Sequence, residues 1–198
     1  SGRQKMNIDD LPDYPAIEQI RGALWRIGET QGAAVMVGAG FSRNAELAAP
    51  NSKKPPVWAD YYDVMEKRLY PGGGAPQDPL KLAEEYKAAF GEPALEGLIF
   101  DLVRDTEWLP GPLHHKLLSL PWEDVLTTNW DTLLERAAAV NIRQTYDIAR
   151  AVADIPRTKA PRIVKLHGSM PSSRPFIFTE EDYRTYPVVF APFVNLVQ

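Results

Sequence analysis

The sequence predicts an α/β fold, a mostly parallel sheet with helices on both faces and an all-helical insertion, and three observations carry that expectation. The first is a set of short apolar runs, AAVMV at 33–37, VLTT at 125–128 and RIVKL at 162–166. Strands covered on both faces read as such runs, because they have no solvent side on which polar residues alternate. The second is that each run ends in a glycine or polar turn, at GAG, NWD and HG. The third is that residues 58–120 hold helical periodicities separated by breakers and no strand-like run.

Taken in order, residues 16–29 place Ile17, Ile20, Leu24 and Ile27 on one helical stripe, closed by Gly28 and Gly32. The strand at 33–37 runs into Gly38, Ala39 and Gly40. Residues 44–56, rich in Pro, Asn, Ser and Ala, form a loop with at most a short helix. A helix over 58–70 carries Trp58, Tyr61, Tyr62 and Met65 as a core-facing stripe, and PGGGAP at 71–76 breaks it. Helices over 79–90, 92–104 and 113–120 follow. Strand 125–128 leads directly into a helix over 131–139, with Trp130 buried under the sheet. Residues 146–148 and 162–166 are the third and fourth strands, and 175–179 a fifth. Thr179 to Asp182 form a capping-box-like helix start. The stretch 188–197 sets Phe190, Phe193, Leu196 and Val197 at helical spacing with nothing after them to cover that face. The expectation is an exposed stripe at Phe190, Phe193 and Val197, and a chain cut short of at least one more strand and helix. Strands alternating with helices make the whole Rossmann-like: one domain over 6–198 with its insertion at about 58–120. Ser1 to Lys5 read as a cloning remnant and Met6 as the natural start.

Composition bounds what such a fold can do. A chain of 198 residues, 44% hydrophobic and 24% charged, is one full-sized globular unit rather than a disordered or fibrous one. No apolar run approaches a membrane span, and the start lacks a secretory signal, so the expected location is the cytoplasm. The 22 basic against 26 acidic residues leave a net charge of −4 without a Lys/Arg cluster, which argues against direct nucleic-acid binding. With no cysteine there is no disulfide, thiol nucleophile or cysteine zinc site. His114 and His115, adjacent on a helix, diverge by about 100° and are no metal pair.

Ligands of open α/β sheets bind at the carboxyl ends of strands. Three strand ends stand out there. Gly38-Ala39-Gly40-Phe41-Ser42 is a glycine-rich turn that lets backbone amides approach a phosphate, or an ordinary tight turn; Arg43 stands where the full dinucleotide fingerprint has its third glycine. Thr128-Asn129-Trp130-Asp131 offers an amide and a carboxylate two residues apart, with Asn129 equally able to serve as a helix N-cap. Lys165-Leu166-His167-Gly168 puts an imidazole at a strand end. Arg43 either reaches a phosphate or starts a solvated helix, and Asp60 and Asp63 read as surface.

GAGFS, TTNWD and KLHGS, in that order, resemble the sirtuin-type NAD-binding motifs GAG-x-S, (Q/T)-N-x-D and HG. The likeness runs from about residue 33 to 168; FTEEDY at 178–183 resembles the segment that usually follows, and Pro56-Val57-Trp58 the Pro-x-Trp helix start of bacterial sirtuin-like proteins. The resemblance implies that NAD+ is bound as substrate. Gly38, Ala39, Gly40, Phe41 and Ser42 would form the binding turn, with Ala39, Gly40 and Ser42 against the phosphates. Asn129 would sit beside the nicotinamide ribose, Asp131 would hold the carboxamide, and His167 would be the catalytic base.

Departures from the family select among its activities. Protein deacylases of this type carry a four-cysteine zinc module that helps form the acyl-lysine groove, and a chain without cysteine cannot build it. The longer spacing between Asn129 and His167 also suggests the bacterial branch. There the resemblance implies hydrolysis of NAD+ to nicotinamide and ADP-ribose in anti-phage defence, without zinc. Two alternatives stay open: an NAD-dependent deacylase, and a non-catalytic NAD or ADP-ribose sensor or assembly module. The family normally completes its adenosine site with a later strand and loop, which residues up to 198 do not supply. Partners implied are a HerA-type ATPase or an Argonaute-like protein, together with homo-oligomerisation.

Overall fold

In the computed structural model, residue 8 and residues 11–28 and 32–197 are described. The expected cloning remnant at Ser1 to Lys5, the expected start at Met6 and the end of the first predicted helix lie outside the described residues.

Four of the five predicted strands become one parallel sheet. Its strands β1 (Ala34–Val37), β4 (Asp124–Thr127), β5 (Asp147–Ala149) and β6 (Arg162–Lys165) lie in the order β1-β4-β6-β5. Alternate residues of the central strands serve opposite faces. Val125 and Ile163 pack with Leu24, Leu118, Leu134 and Ala137, from α1 (Tyr14–Leu24), α6 (Pro112–Leu118) and α7 (Leu133–Ala139). Leu126 and Val164 pack on the other side with Leu166 and Phe193, beneath α8 (Glu180–Val189) and α9 (Ala191–Val197). Helices on both faces cover the central strands β4 and β6, as their apolar runs require, whereas the edge strand β1, expected to be covered on both faces, leaves Ala34 and Met36 exposed because only one neighbour flanks it; the fold is Rossmann-like.

A third cluster lies over the carboxyl end of the sheet. The helices α3 (Trp58–Leu69), α4 (Pro79–Phe90) and α5 (Glu92–Leu102) supply Tyr61, Met65, Leu82, Tyr86, Leu98 and Ile99, which pack against Trp130, Phe176 and Phe178. Trp130 is therefore buried, but against the helical block rather than under the sheet.

Several expectations change. The helical block contains a strand: β3 (Trp108–Leu109) pairs antiparallel with β2 (Glu46–Leu47) from the 44–56 loop. The clamp is Trp108, fully buried, whose indole N–H donates to Lys53 O at 2.7 Å. Residues 175–179 form no strand; Pro175 has no N–H to donate, Ile177 N–H donates to His167 O, and Phe176 and Phe178 fill the aromatic cluster. The predicted stripe on α1 buries only Leu24, leaving Ile17, Ile20 and Ile27 exposed. The terminal apolar face is largely covered: Phe193 is buried and Phe190 and Leu196 pack around it, while Val188, Val189 and Val197 are exposed. Among the described residues no helix is long and apolar enough to cross a membrane.

Candidate active site

Strand register brings the motifs together. Val37 is level with Thr127, and Thr127 with Lys165. The next residues along each strand are Gly38, Thr128-Asn129 and Leu166-His167, so three segments far apart in sequence emerge on one rim. A cavity of about 260 Å³ opens there, lined by Gly38, Ala39, Gly40, Ser42, Thr128, Asn129, Asp131 and His167 on the sheet side. This is just below the roughly 300–1,000 Å³ of small-molecule pockets.

The first turn enters the short helix α2 (Ala39–Ser42) from an extended Gly38. Neither Gly38 nor Gly40 has a positive φ, and a Cβ at Gly40 would meet nothing within 4 Å. Backbone geometry and packing therefore do not require these glycines; what their missing side chains leave is free space at the cavity wall. Phe41 differs from the expectation: its ring leaves the cavity and packs edge-on against buried His114, centroids 5.0 Å apart. Arg43 reaches Pro55 O at 3.4 Å and stands 3.9 Å from Asp60, whose carboxylate caps α3 at Val57 N–H.

Asn129 is not a helix cap. α7 starts four residues later, and the Asn129 amide donates to Gly38 O at 3.0 Å and Ser42 Oγ at 2.8 Å. Its Oδ1 is buried without a partner among the described residues. Leaving such an acceptor unpaired is costly, so the atom is poised for a donor from a ligand or water. Ser42 Oγ donates in turn to Asp131 Oδ2 at 2.6 Å, and Asp131 Oδ1 accepts from Leu133 N–H at 3.1 Å. Asp131 thus lies at the cavity with both oxygens already engaged in holding the rim.

His167 projects from the end of β6 because Gly168 turns the backbone away at φ +89°. Trp130 Nε1–H donates to His167 O at 2.9 Å and ties the two loops together. His167 is 8% exposed, with Tyr183 and Tyr186 edge-on against its imidazole. Burial lowers its pKa to about 4, partly opposed by the Asp182 carboxylate. His167 is accordingly neutral at neutral pH.

This depression has a stability consequence. Between pH 6.5 and 4 the unfolded chain binds a proton at His167 that the folded chain refuses, so stability rises with pH across that window. From pH 7 to pH 5 the wild type is expected to lose about 2 kcal/mol more than His167→Gln does. Urea unfolding of both proteins at the two pH values checks it; parallel losses would refute the depressed pKa.

The far wall comes from residues that sequence patterns did not mark as site residues. Pro55, Pro56, Val57, Trp58, Tyr61, Val103 and Trp108 line it, with Phe178 and Tyr183 from the C-terminal segment. Trp58 is half-exposed and stacks on Phe178 at 5.0 Å, so the expectation of a core stripe holds for Tyr61 and Met65 but not for Trp58. Tyr61 is buried beside Asp131, and desolvation and that carboxylate push its phenol pKa up, keeping it a hydrogen-bond donor.

Fold and rim together define a parallel α/β domain with a ligand cavity at the carboxyl ends of its strands. Residues 123–198, which carry Asn129, Asp131 and His167, match the family model described as SIR2-like domain. The chain is 35% identical over 89 residues to the NAD(+) hydrolase ThsA of Acinetobacter baumannii (strain 532279), covering 43% of this chain and 18% of that protein. To Defense-associated sirtuin 2 of Bacillus subtilis it is 24% identical over 170 residues, covering 82% of this chain and 16% of that protein. The stretch that carries Asn129, Asp131 and His167 is thus similar to SIR2-like domains, and the chain spans less than a fifth of the length of either relative.

Proposed function

We propose that this domain is an NAD+ glycohydrolase that cleaves NAD+ to nicotinamide and ADP-ribose, as the NAD-depleting effector of a bacterial anti-phage system. The observation that carries the reading is the pairing, in one cavity, of the partnerless Asn129 Oδ1 with a neutral, buried His167. The names of the two relatives, one an NAD(+) hydrolase and one a defence-associated sirtuin, support it.

The chemistry suits these groups. Cleavage breaks the bond between the ribose carbon and the pyridinium nitrogen, whose electron pair leaves with neutral nicotinamide. Positive charge develops on the ribose as the bond stretches. A neutral imidazole places no opposing charge beside it, and the Asp131 carboxylate favours it. Water adds to the ribose carbon, and its proton passes to His167 or to solvent. Asn129 Oδ1 can accept from that water or from a ribose hydroxyl and so fix its approach. The open surface at Gly38 and Gly40 accommodates the phosphates.

Incubation of the protein with NAD+ and measurement of free nicotinamide tests the reading, with and without candidate partners of the HerA-type ATPase or Argonaute-like kind. No release in any condition refutes it. Release that requires an acyl-lysine peptide would indicate deacylation instead. The low His167 pKa favours one second reading, binding of NAD+ without turnover, because a base so weak takes a proton poorly at pH 7. Saturable NAD+ binding without product distinguishes it.

Gly40→Ala separates ligand space from folding. The new methyl meets no protein atom within 4 Å and sits in a helical turn, so thermal stability should be unchanged or slightly raised. The KM for NAD+ is expected to rise by about tenfold, since the methyl occupies volume meant for the ligand. An unchanged KM in steady-state assays would place the phosphates elsewhere.

A further inference from the structure

A lysine and a glutamate meet behind the strand ends, out of solvent. Lys165 closes β6 and is 1% exposed, with Nζ 3.2 Å from Glu135 Oε1 on α7. The same ammonium donates to the main-chain oxygen of Asp131. From the other side, Ser169 Oγ donates to Glu135 Oε1 at 3.1 Å. Neither Lys165 nor Glu135 lines the cavity.

Stability is a weak reason for such a pair. Withdrawing two charges from water costs more than a hydrophobic pair of the same volume, which is often as stable or more so. What the pair supplies is direction. Lys165 reaches from the strand that carries His167 to the loop that carries Asn129, and Glu135 reaches from the helix behind that loop to the turn behind His167. Asp131, pinned through its carbonyl, holds Ser42, and Ser42 holds Asn129. A continuous chain of polar contacts therefore runs from Ser169 through Glu135, Lys165, Asp131, Ser42 and Asn129 to Gly38, crossing all three strand ends.

We propose that Lys165 and Glu135 are positioning residues that set the placement of Asn129 relative to His167. The expected effect on rate rests on the hydrolase reading above; the expected effect on loop order does not. The test is the double variant Lys165→Met/Glu135→Met, which removes both charges, keeps the volume and leaves no buried charge alone. Its thermal midpoint should stay near that of the wild type. Its kcat for nicotinamide release should fall about 10- to 100-fold with the KM for NAD+ little changed, as expected of groups displaced by fractions of an ångström. Amide hydrogen exchange over residues 128–132 should speed up at least about tenfold while the rest of the sheet is unchanged.

A double variant as stable as the wild type with wild-type kcat and exchange overturns the proposal. If the wild type itself releases no nicotinamide, the hydrolase reading has failed, and exchange over 128–132 alone decides: unchanged exchange overturns the positioning role. Should the double variant not fold, Ser169→Ala loosens only the link to the turn after His167. A threefold to tenfold loss of kcat at constant KM and midpoint is then expected, and wild-type kcat together with wild-type exchange overturns the proposal.

Discussion

Asn129→Ala is expected to lower nicotinamide release from NAD+ by about 100- to 1,000-fold, the range seen when one preorganised hydrogen-bonding group is removed from a reacting centre. The side chain has two functions that the substitution separates poorly. Its amide ties the glycine turn to the second strand end through Gly38 O and Ser42 Oγ, and its Oδ1, on a residue that lines the cavity, has no partner among the described residues. Losing the ties costs about 1–3 kcal/mol of stability. Thermal unfolding of the variant must therefore accompany the rate assay.

Ser42→Ala provides the comparison. It breaks the link between Asn129 and Asp131 but keeps the Oδ1 atom, so it should retain more activity than Asn129→Ala at a similar loss of stability. Equal rates for the two variants would mean that Asn129 acts only as a tie. His167→Ala should fall in the same range as Asn129→Ala, and the double variant should be little worse than either, because groups acting as one unit are not additive. Full activity in both single variants would remove the hydrolase assignment.

Gly168→Ala is expected to produce the largest loss of stability. The residue holds φ +89°, and a Cβ there would lie 2.5 Å from Pro175 O and 2.7 Å from Ser173 O. Both obstacles are backbone oxygens, which cannot rotate away. Strained backbone and steric overlap together should cost at least about 3 kcal/mol. In a chain of this size that is a drop of roughly 6–12 °C in the unfolding midpoint. Calorimetry or circular dichroism reads it directly, and a shift below a few degrees would mean that the turn rearranges freely. Activity should be lost as well, since the same turn aims His167.

The strand ends were legible because their signals are local. GAG, NWD and HG stand directly after apolar runs, and each is a few consecutive residues whose chemistry can be read without knowing the fold. The far wall was not. Trp58 and Tyr61 stand three apart on a helix, a spacing that suits a buried stripe as well as a cavity wall, and Trp108 lies in a stretch whose two-residue strand is too short to leave a pattern. The run 175–179 has the composition of a strand, yet its aromatic side chains are drawn into the helical block instead of its amides into a ladder. Phe193 looked exposed for the opposite reason: the surface that buries it belongs to β4 and β6, more than 25 residues away.

Residue pattern alone settled the α/β class and the three polar strand ends, since both follow from side chains adjacent along the chain. Which of those side chains share a cavity depended on packing at long range. Asn129 meets Gly38 across 91 positions and Ser42 meets Asp131 across 89, and both gaps are closed by the register of β1, β4 and β6. That register is cooperative, set by which apolar faces the helices cover. The neutrality of His167 has the same origin, because it is a product of burial beneath Tyr183 and Tyr186 rather than of any neighbour in sequence.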